Sequence, residues 1–297
     1  MKNTPAPVLD CAGRALDLSQ PLVMGVVNTT PDSFSDGGAL YRSGTLDLER
    51  AFAHARRLCA EGAAILDIGG ESTRPGALPV TSAEEEDRVL PLVARIAREL
   101  DVVISVDTSN PVIMREAAAL GAGMLNDVRA LGREGALEAA AATGLPVCLM
   151  HMQGQPDSMQ RAPTYIDVVA EVRGFLAQRL QACVAAGIPR RQIVLDPGFG
   201  SGKTVAHNLE LLDRLAEVAL DGLPLLVGLS RKSLIGKVLG RDTPAGDRGV
   251  AQDRLAGSLA LAVLAVERGA AIVRAHDVAA TVDALALCVA TKRWGRS

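Results

Sequence analysis

Short aliphatic and β-branched runs recur along the chain at Leu22–Val27, Ile65–Ile68, Val102–Val106, Met124–Leu125, Val147–Met150, Ile193–Leu195, Leu225–Leu229 and Ile272–Val273. Each is too short for a helix and has the composition of a strand buried on both faces. Between them apolar residues return at helical spacing, as at Leu48, Ala51, Phe52, Ala55, Leu58 and Cys59, and again at Val168, Val169, Val172, Phe175, Leu176 and Leu180. Ser82 with Glu85 reads as a capping box, Asn110-Pro111 as a cap and first-turn proline, and Gly62, Gly121, Gly144 and Gly187 as helix stops. Strand and helix thus alternate eight times, with no linker, charge block or low-complexity stretch between them. The pattern predicts one (β/α)8 (TIM) barrel domain over residues 1–297, with a short N-terminal extension over 1–20, ahead of an open doubly wound sheet.

Composition sharpens this reading. Of the 297 residues 48% are hydrophobic but only 2% aromatic, so Ala, Leu, Val and Ile must fill the interior. A net charge of -3, with no basic cluster, argues against nucleic acid as a partner. The longest apolar run, Leu259–Val266, is too short for a bilayer, and the first twenty residues hold no apolar core of signal-peptide length; a cytoplasmic protein is expected. The cysteines Cys11, Cys59, Cys148, Cys183 and Cys288 are widely spaced and read as small core residues, and no His/Cys spacing suggests a zinc site. Any metal should be hard and oxygen-bound.

Candidate chemistry lies where the apolar runs end: at Asn28, the loop Gly69 to Arg74, Asp107, Asn126, His151, Asp196, Ser230, and Arg274 with His276. In a barrel these ends share one mouth, where catalytic groups collect. Any one of them could be a helix cap, and Asp107 and Asp277 invite that reading, but caps at every strand end are improbable. The segment Asp196 to Thr204 imitates a P-loop, yet Pro197 stands where that motif needs glycine. It reads as a flexible loop behind a functional Asp196, with Lys203 a solvated helix-start residue. The stretches Asn28 to Gly38 and Ser72 to Ala77 could close over a ligand. Asp67, within a strand, is a carboxylate in need of partners. His54 and His207 read as surface helix residues.

Taken together, Asn28 to Gly38, Glu71-Ser72-Thr73-Arg74-Pro75-Gly76, Asp107, Asn126-Asp127, Asp196-Pro197-Gly198-Phe199-Gly200, Ser230-Arg231-Lys232-Ser233 and Arg274-x-His276-Asp277 resemble the dihydropteroate synthase family over nearly the whole chain. The resemblance implies a transferase that joins 4-aminobenzoate to 6-hydroxymethyl-7,8-dihydropterin diphosphate, releasing diphosphate and 7,8-dihydropteroate. A dihydropterin edge carries adjacent N–H donors beside a carbonyl, which suits a buried carboxylate such as Asp196. By resemblance Asp107, Asn126 and Lys232 complete the pterin pocket, and Thr73, Arg74, Arg274 and His276 face the diphosphate or the reacting centre. The resemblance also gives Asn28 a place as Mg2+ ligand, Asp36 and Arg74 a role in ordering the loops, and Arg74, Pro75 and Ser230 a place beside 4-aminobenzoate, where sulfonamides would compete. It further suggests a homodimer. Ser201 departs from the family, which often carries a second phenylalanine there lining the aminobenzoate site. Two alternatives stand beside this reading: a pterin-dependent methyltransferase on the same barrel, which would leave Arg274 and His276 without a phosphate to face, and a silent paralogue that only binds.

Overall fold

A computed structural model describes residues 7–30, 40–42, 45–72, 80–154, 159, 162–241 and 254–294. Numbering the barrel strands alone, these are β1 (Leu22–Asn28), β2 (Ile65–Gly69), β3 (Val103–Asp107), β4 (Met124–Asp127), β5 (Val147–Met150), β6 (Ile193–Asp196), β7 (Leu225–Val227) and β8 (Ala270–Ala275). Every expected apolar run is a strand. They close into a parallel barrel in chain order, β8 pairing β1 through Val273 opposite Val23, so the (β/α)8 architecture holds and the open sheet is excluded. Strand β7 stops short of the expected Leu229. The next residue, Gly228, leaves room for Arg274, whose Nε would lie 3.3 Å from a Cβ built there.

The pleat sorts the strand residues by face. Val23, Leu66, Ile104, Leu125, Leu149, Leu195 and Val227 point outward and pack with the helices in the main core. Met24, Ile65, Val103, Met124, Cys148, Val194, Leu226 and Ile272 point inward as a second, separate cluster at the lower end of the barrel. Two residues further along the same faces come Asp67, Ser105, Asn126, Asp196 and Arg274, so the barrel interior turns polar one layer higher.

The lower end has a floor. Val8–Cys11 and Arg14–Asp17 form an antiparallel hairpin that turns through left-handed Ala12 and Gly13. Its Leu9, Cys11 and Leu16, with Leu18, join the inward apolar cluster. The Gln192 side chain fixes it in place, accepting from Asp10 N at 3.0 Å and donating to Asp10 O at 2.9 Å. Of what reads as an extension in the sequence, Leu9, Cys11, Leu16 and Leu18 are therefore part of the barrel core.

The helices start largely where their caps direct. Asn110 Oδ1 accepts from Val112 N, with Pro111 in the first turn of Pro111–Ala119. Gly62, Gly121, Gly144 and Gly187 all take left-handed φ just past a helix. The capping box of Ser82–Glu99, however, is Thr81 with Glu84, one residue before the expected pair. Ser82 instead donates to Glu86, and Glu85 is buried, accepting from Thr108 Oγ1 at 2.6 Å. Among the described residues no helix is long and apolar enough to cross a membrane.

Candidate active site

Strand register sets the upper end of the barrel. Asn28 pairs Gly69, Gly69 pairs Asp107 and Asp107 pairs Asn126, so these strand ends share one register row, and Asp196, which pairs Met150, lies two residues further along. At the centre lies Asp67, 2% exposed in its side chain. It accepts from Ser105 Oγ at 2.8 Å, from Asn126 Nδ2 at 3.2 Å and from Arg274 Nη1 at 3.0 Å. Arg274 Nη1 also reaches Asp107 Oδ2 at 3.4 Å. One buried carboxylate thus gathers two residues assigned to the pocket, Asn126 and Arg274, together with Ser105, and its need for partners is met from strands β3, β4 and β8.

The electrostatics follow from that geometry. Burial pushes the Asp107 carboxyl well above its ordinary range, the neighbouring Asp67 charge adds to the push, and Arg274 opposes it. Burial works against the Arg274 guanidinium, but Asp67, Asp107 and Asp196 outweigh it and keep that arginine charged. Asp196 is raised by burial and held down by Arg274, by the Gly198 N–H that donates to its Oδ1 at 2.7 Å, and by Lys232 and Lys203. Asn126 donates through its amide nitrogen to Asp67, yet its Oδ1 is buried without a hydrogen-bond partner among the described residues. A native interior rarely leaves such an acceptor unmatched, so it calls for a donor from a ligand.

Around this centre the rim is stapled from outside. Ser230 Oγ accepts from His276 N at 3.2 Å and lies 3.1 Å from His276 Nδ1, which brings two further expected residues together. Asp277 does not cap a helix with its carboxylate; Arg231 takes it at 2.6 Å and 3.0 Å. Asp107 likewise faces Arg274, while Asn110 and Thr108 do the capping. Arg129 grips Glu71 with both nitrogens, at 2.8 Å and 3.1 Å, and also donates to Ser109. Ser109 in turn donates to Asp127, whose carboxyl burial raises despite that bond.

The glycine-rich segment after Asp196 differs from expectation. Gly198, Gly200 and Gly202 are left-handed, and a Cβ at Gly198 would come within 1.8 Å of His151 O, so the loop is packed tightly against the end of β5. Lys203 is not solvated: it is 3% exposed, with its ammonium folded back into the loop. Ser201 is buried too. The stem of Lys232 passes over Gly200, with Cδ 3.2 Å from a Cβ built there. His207 caps its own helix with Thr204. Asp36, Thr73, Arg74 and Pro75 lie outside the described residues.

Asp67, Ser105, Lys203 and the Glu71–Arg129 pair carry parts of this arrangement that residue patterns do not assign. A signal existed for Asp67 and Ser105, which share the inward parity of Asn126 and Arg274. None existed for Arg129.

The class follows from comparison with known proteins. Residues 24–276 match the family model described as pterin binding enzyme. The Escherichia coli K12 dihydropteroate synthase is 52% identical over 94% of this chain and 94% of its own. That of Haemophilus influenzae is 49% identical over 94% of this chain and 96% of its own. Among solved structures, the Yersinia pestis dihydropteroate synthase in a sulfonamide drug complex superposes with a TM-score of 0.90 at 50% identity, covering 96% of this chain and 99% of that one. The Xanthomonas albilineans dihydropteroate synthase in complex with 7,8-dihydropteroate gives 0.82 at 46%, covering 97% and 99%. This chain belongs to the dihydropteroate synthases within the pterin-binding enzymes, which selects the synthase over the methyltransferase.

Proposed function

We propose that the upper end of the barrel holds 6-hydroxymethyl-7,8-dihydropterin diphosphate beside 4-aminobenzoate and joins them. The single observation that carries the site assignment is the buried Oδ1 of Asn126, unmatched among the described residues, on the inward face that also carries Asp196 where the interior turns polar. Asp196 accepts from the pterin N–H edge, Asn126 Oδ1 accepts a further donor, and Lys232 donates to the ring carbonyl. Asp107, its carboxyl pushed up by burial and opposed by Arg274, lines the same pocket.

In the reaction the C–O bond between the exocyclic methylene and the diphosphate breaks, and the dihydropterin ring spreads the positive charge left behind. The amine nitrogen then forms the new C–N bond and gives up a proton. No enzyme nucleophile is required. Arg274, kept charged by its carboxylates, and His276 at the rim stabilise the negative charge that grows on the departing oxygens. Arg274 needs no reorganisation to do this, because Asp67 already fixes it. By the family resemblance Thr73, Asp36 and Arg74 take part in the reaction, and Pro75, with Ser230 and Ser201, in binding the aminobenzoate.

Mg2+ fits the donors present. Asn28 ends β1 half-buried, on the inward face shared with Met24, and offers a hard amide oxygen. Among the described residues no group of three His, Cys, Asp or Glu could cage a metal, which suits an ion held mainly by substrate oxygens and water. When bound, it supplies charge to neutralise the leaving diphosphate. A homodimer belongs to this reading through the family resemblance. The setting is the cytoplasm, and sulfonamides compete for the aminobenzoate place.

The test is diphosphate release from the pterin substrate with and without 4-aminobenzoate, and with and without EDTA. Release that depends on both aminobenzoate and Mg2+, matched by dihydropteroate, is expected. Aminobenzoate-independent release would make the chain a hydrolase, and full turnover in EDTA would remove the metal.

A further inference from the structure

Lys203 is a buried amine with an unusual set of partners; burial lowers its pKa to about 7, with the Asp196 charge opposing. Its Nζ donates to Gly198 O at 2.8 Å and to Ser201 O at 3.0 Å, and lies 2.9 Å from His151 Nδ1. The ammonium has as many N–H groups as these acceptors, and no carboxylate is among them. His151 therefore offers Nδ1 as an acceptor, with its ring proton on Nε2. Its ring stands edge-on to Phe175, with centroids 5.0 Å apart. Burial, with the Lys203 charge, lowers the His151 pKa to about 3, which keeps it neutral and able to accept.

The acceptors belong to the segment that shapes the pterin pocket. Its left-handed glycines turn the Gly198 and Ser201 carbonyls inward, and Gly198 N–H holds Asp196 Oδ1. His151 N donates to Asp196 O at 2.9 Å, so the two ends of the clasp flank Asp196. Gly200 between them supports the Lys232 stem. We infer that Lys203 is a positioning residue: its ammonium, clasped by the Gly198 and Ser201 carbonyls and His151 Nδ1, fixes the loop that aims Asp196 and Lys232 at the pterin. This inference rests on the pterin reading of the mouth.

Calorimetric titration of a pterin analogue into the full chain tests it, alongside steady-state kinetics and thermal melts. Lys203→Met keeps the stem length and removes the donors. Its pterin affinity should fall about tenfold or more, while kcat at saturating pterin substrate changes much less. His151→Leu, which removes one acceptor, should weaken binding in the same direction, and His151→Gln, which restores an acceptor, should recover part of the loss. Lys203→Met with wild-type pterin affinity and only a lower melting temperature would overturn the inference and leave the lysine a stabilising residue. If Lys203→Met does not fold, His151→Leu against His151→Gln decides: equal wild-type affinity in both overturns it. Wild type that fails to bind the analogue would instead overturn the pterin reading itself.

Discussion

The two ends of the barrel interior are built on the same strands and differ by one pleat. At the lower end Met24, Ile65, Val103, Met124, Val194, Leu226 and Ile272 meet above the hairpin residues Leu9, Cys11 and Leu16 in an apolar core. One layer up, Asp67, Ser105, Asn126, Asp196 and Arg274 point into the same space. The lower layer repays burial with hydrophobic stabilisation, roughly 25 cal/mol per Å2 of apolar surface. The upper layer gains no such term. It puts charges where desolvation raises Asp107 and Asp196, and offsets that cost only through Arg274 and a network of hydrogen bonds. The difference teaches where stability and chemistry are divided: the floor holds the scaffold rigid, and the mouth uses that rigidity to keep charges in place for a ligand.

That division can be broken from either side. The largest effect is expected for Arg274→Met, which leaves Asp67 and Asp107 facing each other without their common cation. Removing one member of a buried ionic cluster costs about 3–5 kcal/mol of stability, and losing the oxyanion partner should cost turnover about 10²–10³-fold. Denaturant titration and kinetics would show both; a stable, active variant would mean that the cluster is incidental. At the floor, Leu9→Ala should cost about 2–5 kcal/mol of stability with substrate constants unchanged. A shifted Michaelis constant there would erase the distinction between the two ends.

A smaller effect concerns acid stability. In the folded chain His151 has a pKa near 3 against an ordinary 6.5, so between those values the unfolded chain takes up a proton that the native state refuses. Its contribution is intact above about pH 6.5 and is lost as pH falls towards 3. His151→Gln should therefore flatten the dependence of melting temperature on pH in that window; an unaltered slope would show that His151 protonates freely when folded. The smallest effect is at Ser201. Because this side chain is buried, Ser201→Phe should place a ring beside the aminobenzoate and lower its Michaelis constant about two- to twelve-fold, as expected for 0.5–1.5 kcal/mol of aromatic contact. A raised constant would mean that the position has no room for the ring.

Much of this was legible in the sequence, for a physical reason. Barrel strands buried on both faces leave continuous aliphatic runs, and the polar residue that ends each run stands out, as with Asn28, Asp107, Asn126 and Asp196. The hairpin floor did not stand out, because Val8–Cys11 and Arg14–Asp17 are short and mix buried with exposed positions, like a polar loop. The cap of Ser82–Glu99 slipped by one because Thr81 with Glu84 and Ser82 with Glu85 satisfy the same spacing. Only packing decides between them, by burying Glu85 against Thr108. Lys203 was misread because a lysine among glycines signals a wet loop unless one knows that left-handed turns aim carbonyls at it. Asp67 was visible as a strand carboxylate, but its partners come from β3, β4 and β8, and distance along the chain hides them.

The central claim is that the polar layer, and not the floor, reads the pterin. Isothermal titration of a pterin analogue into wild type, Asp196→Asn and Leu9→Ala tests it most directly. Asp196→Asn turns one charge-assisted acceptor into a donor that faces a donor, which should weaken binding by about 1.5–3 kcal/mol, while Leu9→Ala binds as wild type does. Wild-type affinity in Asp196→Asn, with the protein folded, would contradict the account.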